Sequence, residues 1–184
     1  MKIFLNILTV VIILLSATPA RGEDKFHIHL DYNYLLGLYE KGAFLGGKSK
    51  LSGFDIHLAG MYDINKRLSL GAGVGVEKLA NPWYTIFPVF AKALYSPLST
   101  TDKPYVFTKL GYGIGTEYSN AGLLFNPGVG YRIMFRKHFG INFMLGYHLQ
   151  SVRYDVFIED GIGSYAIPTH NNRHSLSFGV GFIF

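Results

Sequence analysis

The feature that most constrains this chain is a two-residue alternation with glycine on one side of it. Leu68, Leu70, Ala72, Val74 and Val76 alternate with Ser69, Gly71, Gly73, Gly75 and Glu77. Successive side chains of a β-strand point to opposite faces, so this stretch is a strand with one bulky apolar face and one nearly bare face. Glycine weakens a strand interior, and its repetition on one face marks a surface that other groups approach closely.

The same texture recurs in eight segments, read at 26–38, 52–62, 67–78, 84–95, 105–116, 124–136, 139–150 and 174–184. In the first, Phe26, Ile28, Leu30, Tyr32 and Tyr34 oppose His27, His29, Asp31 and Asn33. In the second, Phe54, Ile56, Leu58 and Tyr62 oppose Asp55, His57 and Ala59. The fourth is apolar on both faces, and the better register sets Phe87, Val89, Ala91, Ala93 and Tyr95 against Phe90 and Lys92. The fifth sets Val106, Thr108, Leu110, Tyr112 and Ile114 against Lys109 and glycines. The sixth sets Val129, Tyr131, Ile133 and Phe135 against Gly128, Gly130 and Arg132. In the seventh, Ile141, Phe143, Leu145, Tyr147 and Leu149 oppose Gly140, Asn142, Gly146, His148 and Gln150. The last ends on Leu176, Phe178, Val180, Phe182 and Phe184 against Ser175, Ser177, Gly179 and Gly181. No helical period is sustained beyond residue 22, so almost no helix is expected there.

Residues 1–22 have a different character. Lys2 precedes an apolar run from Ile3 to Leu15, followed by small residues through Gly22. This order is that of a secretory signal peptide, with cleavage expected after Gly22 or at Ala20/Arg21, leaving one domain over 23–184. The run is shorter than the roughly 20 residues of a spanning helix. There is no cysteine, which excludes disulfides and lipid attachment at cysteine. The chain has 17 Lys and Arg against 12 Asp and Glu. Two of the basic residues, Lys2 and Arg21, belong to the leader, and the remaining excess is too small and dispersed to suggest nucleic acid as a partner.

Two architectures share this alternation: a soluble up-and-down barrel with an apolar inside, and a membrane barrel turned the other way. Volume separates them. An eight-stranded barrel has an interior just wide enough for side chains to fill, and the Leu, Phe, Tyr, Val and Ile of eight strands exceed it. The Gly- and Ser-rich face fits. A continuous apolar exterior requires lipid outside it, and hydrocarbon requires a closed sheet. The expected fold is therefore all-β: an eight-stranded antiparallel transmembrane barrel with a filled polar lumen.

An even strand number places both termini on one side, which in outer-membrane barrels is the periplasm, with short turns there and longer loops outside. This assigns 63–66, 96–104 and 136–138 to the periplasm, and 40–50, 79–83, 117–122 and 152–173 to the exterior. Aromatic girdles are expected from Tyr39, Trp83, Tyr84, Tyr118 and Tyr154 at the outer end. Tyr62, Tyr95, Tyr105 and Phe184 supply the inner one.

The stretches "KPYVFTKLGYGIG" (103–115), "NPGVGYRI" (126–133), "INFMLGYHLQ" (141–150) and the Phe-terminated last strand resemble the small OmpX/OmpA-like outer-membrane barrels, in particular the outer membrane protein beta-barrel domain group. The resemblance covers all of 23–184. It implies a location in the bacterial outer membrane and contact with outer-membrane lipids. It also implies recognition by the barrel assembly machinery, for which Phe178, Phe182 and Phe184 would form the C-terminal signal. It does not imply one activity, since such barrels have very different ones.

The inward charges define the candidate site. Asp31, Asp55 and Glu77 fall on strands one to three, and Lys92, Lys109 and Arg132 on strands four to six. Strand n faces strand n+4 across an eight-stranded lumen, so Asp31 is expected to face the strand of Lys109, and Asp55 that of Arg132. Turning the first hairpin near residue 44 also sets His57 opposite Asp31. Buried charges need partners, so this lumen network should be a plug, with a proton- or ion-conducting lumen as the alternative.

Other chemistry is less well supplied. His27 and His29 share a strand face and could offer two metal ligands, with only Asp31, His57 or His148 as a third; no metal or other cofactor is expected. Lipid A deacylases of barrel type resemble a His-x-Ser-Asn pattern with a following Glu, used as a Ser/His/Glu device. Here "YHLQS" (147–151) has Gln150 where Ser is required, and Ser119-Asn120 lacks the preceding His. His174 and Ser175 are adjacent and so face opposite ways. No Ser, His and acid converge in this register, and a catalyst is not expected.

The outer stretch 152–173 mixes Tyr154, Phe157, Ile158, Tyr165 and Ile167 with Asp155, Glu159, Asp160 and His170. It is either a loop that binds an extracellular ligand or an extension in which strands seven and eight continue to pair. A structural or surface-interaction role without an open pore follows. A lipid A-modifying enzyme and a narrow channel for small solutes are the alternatives.

Overall fold

A computed structural model describes residues 25–41, 51–80, 84–115, 120–136, 139–160 and 163–184. The leader expected at 1–22 lies outside the described residues. Eight strands follow one another: β1 (Phe26–Lys41), β2 (Gly53–Asp63), β3 (Leu68–Leu79), β4 (Tyr84–Tyr95), β5 (Lys103–Gly115), β6 (Asn120–Arg136), β7 (Phe139–Asp160) and β8 (Gly163–Ile183). Each pairs antiparallel with the next, and β8 pairs with β1 to close a barrel. At the seam Ile28 and Phe184 exchange both backbone hydrogen bonds, each 2.9 Å long.

The expected faces are the observed ones. Tyr32, Leu70, Val89, Leu110, Val129, Phe143 and Phe178 are all exposed on the exterior, and their neighbours two residues away on each strand are exposed or half-buried. His29, Asp31, Asp55, Glu77, Lys92 and Lys109 are buried inside. Tyr39, Tyr62, Tyr95 and Phe184 are exposed near strand ends, where girdle residues belong. Tyr105 is a correction: it is buried on the lumen side, because β5 starts at Lys103 and its odd positions face inward. Trp83 and Tyr118 lie outside the described residues, as do the side chains of Tyr84 and Tyr154.

The lumen also holds more bulk than a bare Gly and Ser face suggests. Met61, Leu94, Tyr105, Phe107 and Met144 are inside with Phe90, and the glycines make room for them. A Cβ on Gly73 would lie 2.7 Å from the Phe90 ring, one on Gly128 2.6 Å from Phe107, and one on Gly130 2.4 Å from Tyr105. Each such glycine is half of a pair with a large inward side chain on a neighbouring strand.

The stretch 152–173 is paired, which corrects its reading as a loop and agrees with the extension alternative. β6 leaves β7 at Asn120↔Arg153 and β1 leaves β8 at Lys41↔Asn172, but β7 and β8 stay paired to Asp160↔Gly163. A two-stranded ribbon thus continues past the barrel by roughly 20 Å at the rise of a strand. The register along it runs through Tyr154↔Thr169, Val156↔Ile167 and Ile158↔Tyr165 without a shift.

Candidate functional site

The inward side chains lie in layers along the barrel axis. Near the end of the barrel that carries Lys25 and Phe184, His27 Nε2 lies 3.2 Å from Asp63 Oδ2, and Ser69 donates to Asp63. In the same region the Arg132 guanidinium lies 6.0 Å from the Tyr105 ring centre, a cation–π distance. The bulky layer of Met61, Phe90, Leu94, Phe107 and Met144 adjoins it.

The central layer contains the charges. Lys92 Nζ donates to Asp31 Oδ2 at 2.6 Å, and Lys109 Nζ lies 3.3 Å from the same oxygen. Lys92 Nζ is also 3.4 Å from His29 Nδ1, and Lys109 Nζ is 2.9 Å from His57 Nδ1. His57 stands opposite Asp31 in the β1–β2 ladder, the register expected from a turn near residue 44. Asn33 Nδ2 donates to Asp55 Oδ1 at 2.5 Å, and the same oxygen is 3.3 Å from His57 Nδ1. Asp31, Asp55, His57, Lys92 and Lys109 therefore form one continuous network, buried from water.

One expected pairing fails. Asp55 does not reach Arg132, because barrel strands are tilted and staggered, so facing strands do not meet at equal sequence depth. Arg132 pairs in register with Lys103 and Asn142 near the terminal end, whereas Asp55 pairs with Glu77 farther along.

Beyond the central layer, Glu77 of β3 reaches across the lumen to β7, with His148 Nε2 at 3.1 Å from its Oε1. Ser175 of β8 is the register partner of His148. A serine, a histidine and a carboxylate thus share one region of the lumen, a placement that depends on the β7–β8 register. All three residues are buried, and neither Ser175 Oγ nor His148 Nδ1 makes a hydrogen bond among the described residues. Leu35, Leu79, Ile86 and Val152 form a buried apolar cluster.

The remaining polar residues brace the wall. Asn126 Nδ2 donates to the Tyr147 carbonyl at 2.9 Å and to Ser177 Oγ at 3.1 Å. It does so where β6 and β7 lose register pairing, between Phe125↔Leu149 and Gly128↔Gly146 at Pro127, which lacks an N–H. Arg173 Nη2 donates to the Ala80 carbonyl at 2.7 Å. Reading 152–173 as a loop hid Arg173 as an inward residue. His27 turns to Asp63 and His29 to Lys92, and no group of three metal-ligating side chains gathers among the described residues.

No family model matches the chain, and no curated protein matches it. Solved structures do. Neisserial surface protein A is 16% identical with a TM-score of 0.54, over 85% of this chain and 95% of that one. The outer membrane protein OprG from Pseudomonas aeruginosa is 11% identical with a TM-score of 0.59, over 87% of this chain and 96% of that one. The fold is that of the small eight-stranded outer-membrane barrels.

Proposed function

We propose that the chain is an integral outer-membrane barrel with a sealed lumen, non-catalytic, acting as a structural envelope protein that presents a surface for interaction. The observation that carries this is the paired ribbon of β7 and β8, which runs past the last pairs with β6 and β1 to Asp160↔Gly163. Within the barrel the exterior parity is apolar, as lipid demands, and a segment that outruns the barrel wall is placed to meet a partner. In this reading both termini face the periplasm, the exterior contacts outer-membrane lipids, and biogenesis uses the barrel assembly machinery.

The sealed lumen is supported by the central ion network and by apolar layers on either side of it. The test is twofold. Planar bilayers containing the refolded barrel should show no sustained unitary conductance, and lipid A should be unaltered in mass after expression. Cells displaying the barrel should lose binding to their target surface when residues 154–169 are shortened to a tight turn. Retained binding would refute the interaction role.

A further inference from the structure

The turn joining β2 to β3 and the segment joining β4 to β5 lie side by side at the end of the barrel that carries Lys25 and Phe184. They are tied together. Ser96 N donates to the Arg67 carbonyl at 2.8 Å, Arg67 Nε donates to Ser99 Oγ at 3.3 Å, and Lys103 Nζ donates to the Lys66 carbonyl at 2.7 Å. Asn65 Oδ1 accepts from the backbone of Arg67 and Leu68, fixing the turn itself. Lys66, Arg67 and Lys103 are thereby gathered in one place.

The carboxylates nearest them in sequence are engaged elsewhere. Asp63 turns inward to His27 and Ser69, and Asp102 accepts from the Met134 backbone at 2.8 Å. Among the described residues none of the three cations makes an ion pair. Their surroundings are unusual for turns in water: Ile64 is 51% exposed and Leu98 47%, and the exposed rings of Tyr62 and Tyr95 stand just before them on β2 and β4. Apolar side chains projecting from turns, next to fixed cations and girdle tyrosines, match the boundary between acyl chains and headgroups.

We infer that Lys66 and Arg67, supported by Lys103, bind the phosphate of an anionic phospholipid in the periplasmic leaflet, with Ile64 and Leu98 set among its acyl chains. This site presupposes the membrane assignment proposed above. The Ser99 contact engages Arg67 Nε and leaves the outer edge of the guanidinium for a phosphate, which it can meet in bidentate fashion. Charge complementarity favours a lipid over an acidic polypeptide, because a polypeptide would leave the neighbouring apolar groups uncovered.

The test uses the full refolded barrel in detergent micelles doped with phosphatidylglycerol or phosphatidylcholine, with retained lipid counted by native mass spectrometry. A basic residue at an anionic surface contributes roughly fivefold in affinity, so the K66Q/R67Q pair should lose about 25-fold in phosphatidylglycerol retention. K78Q, at the opposite end of β3, should retain it as wild type does, and retention should weaken as salt is raised. Equal retention of the two lipids by the wild type, or full retention by K66Q/R67Q, would overturn the site. Displacement of phosphatidylglycerol by an equal concentration of inorganic phosphate would assign a free anion instead, and displacement by polyglutamate an acidic partner; either overturns the lipid. Heat-modifiable gel migration is measured in parallel. A barrel that inserts but shows no lipid preference fails this inference alone, whereas one that does not insert fails the membrane assignment too.

Discussion

Asp31 Oδ2 is shared by two ammonium groups, Lys92 Nζ at 2.6 Å and Lys109 Nζ at 3.3 Å, and all three side chains are buried. One carboxylate from β1 thereby ties β4 and β5 across the lumen. Removing a charged partner from such a site strands the others, and the cost of a broken buried pair is about 3–5 kcal/mol. Asp31→Asn should lower barrel stability by about that amount, read as the urea midpoint of the heat-modifiable band. A change below about 1 kcal/mol would show that the network is not a brace.

Arg132 makes a contrasting case. It lies over Tyr105 and forms no ion pair among the described residues. Arg132→Met should cost only about 1–2 kcal/mol, the range of a desolvated cation–π contact. A loss equal to that of Asp31→Asn would mean that the two sites are coupled.

The glycine pairs predict a steric effect of definite location. A Cβ at Gly130 meets the Tyr105 ring at 2.4 Å, and overpacking of this kind costs about 1–3 kcal/mol. Gly130→Ala should therefore destabilise the barrel, and Tyr105→Leu in the same chain should recover part of the loss. Equal stability of Gly130→Ala and wild type would contradict the packing described.

Glu77, His148 and Ser175 invite a chemical test. If they serve structure alone, the folded barrel should not react with a fluorophosphonate probe. Glu77→Gln should cost about 1–3 kcal/mol by disturbing a buried, charge-assisted hydrogen bond. Labelling that disappears in Ser175→Ala would establish a nucleophile there.

The strands were legible because the signal is steric and repeats at every second residue. Even the ambiguous fourth strand resolved correctly once Lys92 was placed inward. Strand ends were less legible: beyond Gln150 the sequence no longer keeps its bulky residues on one parity, so a reading that follows one apolar stripe stops there. Tyr105 was misplaced for a related reason, since an aromatic near a strand end fits either a girdle or a lumen until its parity is known. The site residues were read from parity alone, and parity shows which groups share the lumen. It does not give their partners, because tilt and stagger decide that Asp31 meets Lys92 and that Asp55 misses Arg132. The approach of Ser175 to His148 depends on β7–β8 register, which an unlocated turn leaves undetermined.

The central claim is that the apolar exterior faces lipid. It is tested most directly by expressing the full chain in a Gram-negative host, separating outer membranes by density, and extracting them with urea. The account predicts that the protein stays in the outer-membrane fraction and migrates differently on gels with and without boiling, as a closed barrel does. Recovery in the soluble or urea-extracted fraction, with migration unaffected by boiling, would contradict it.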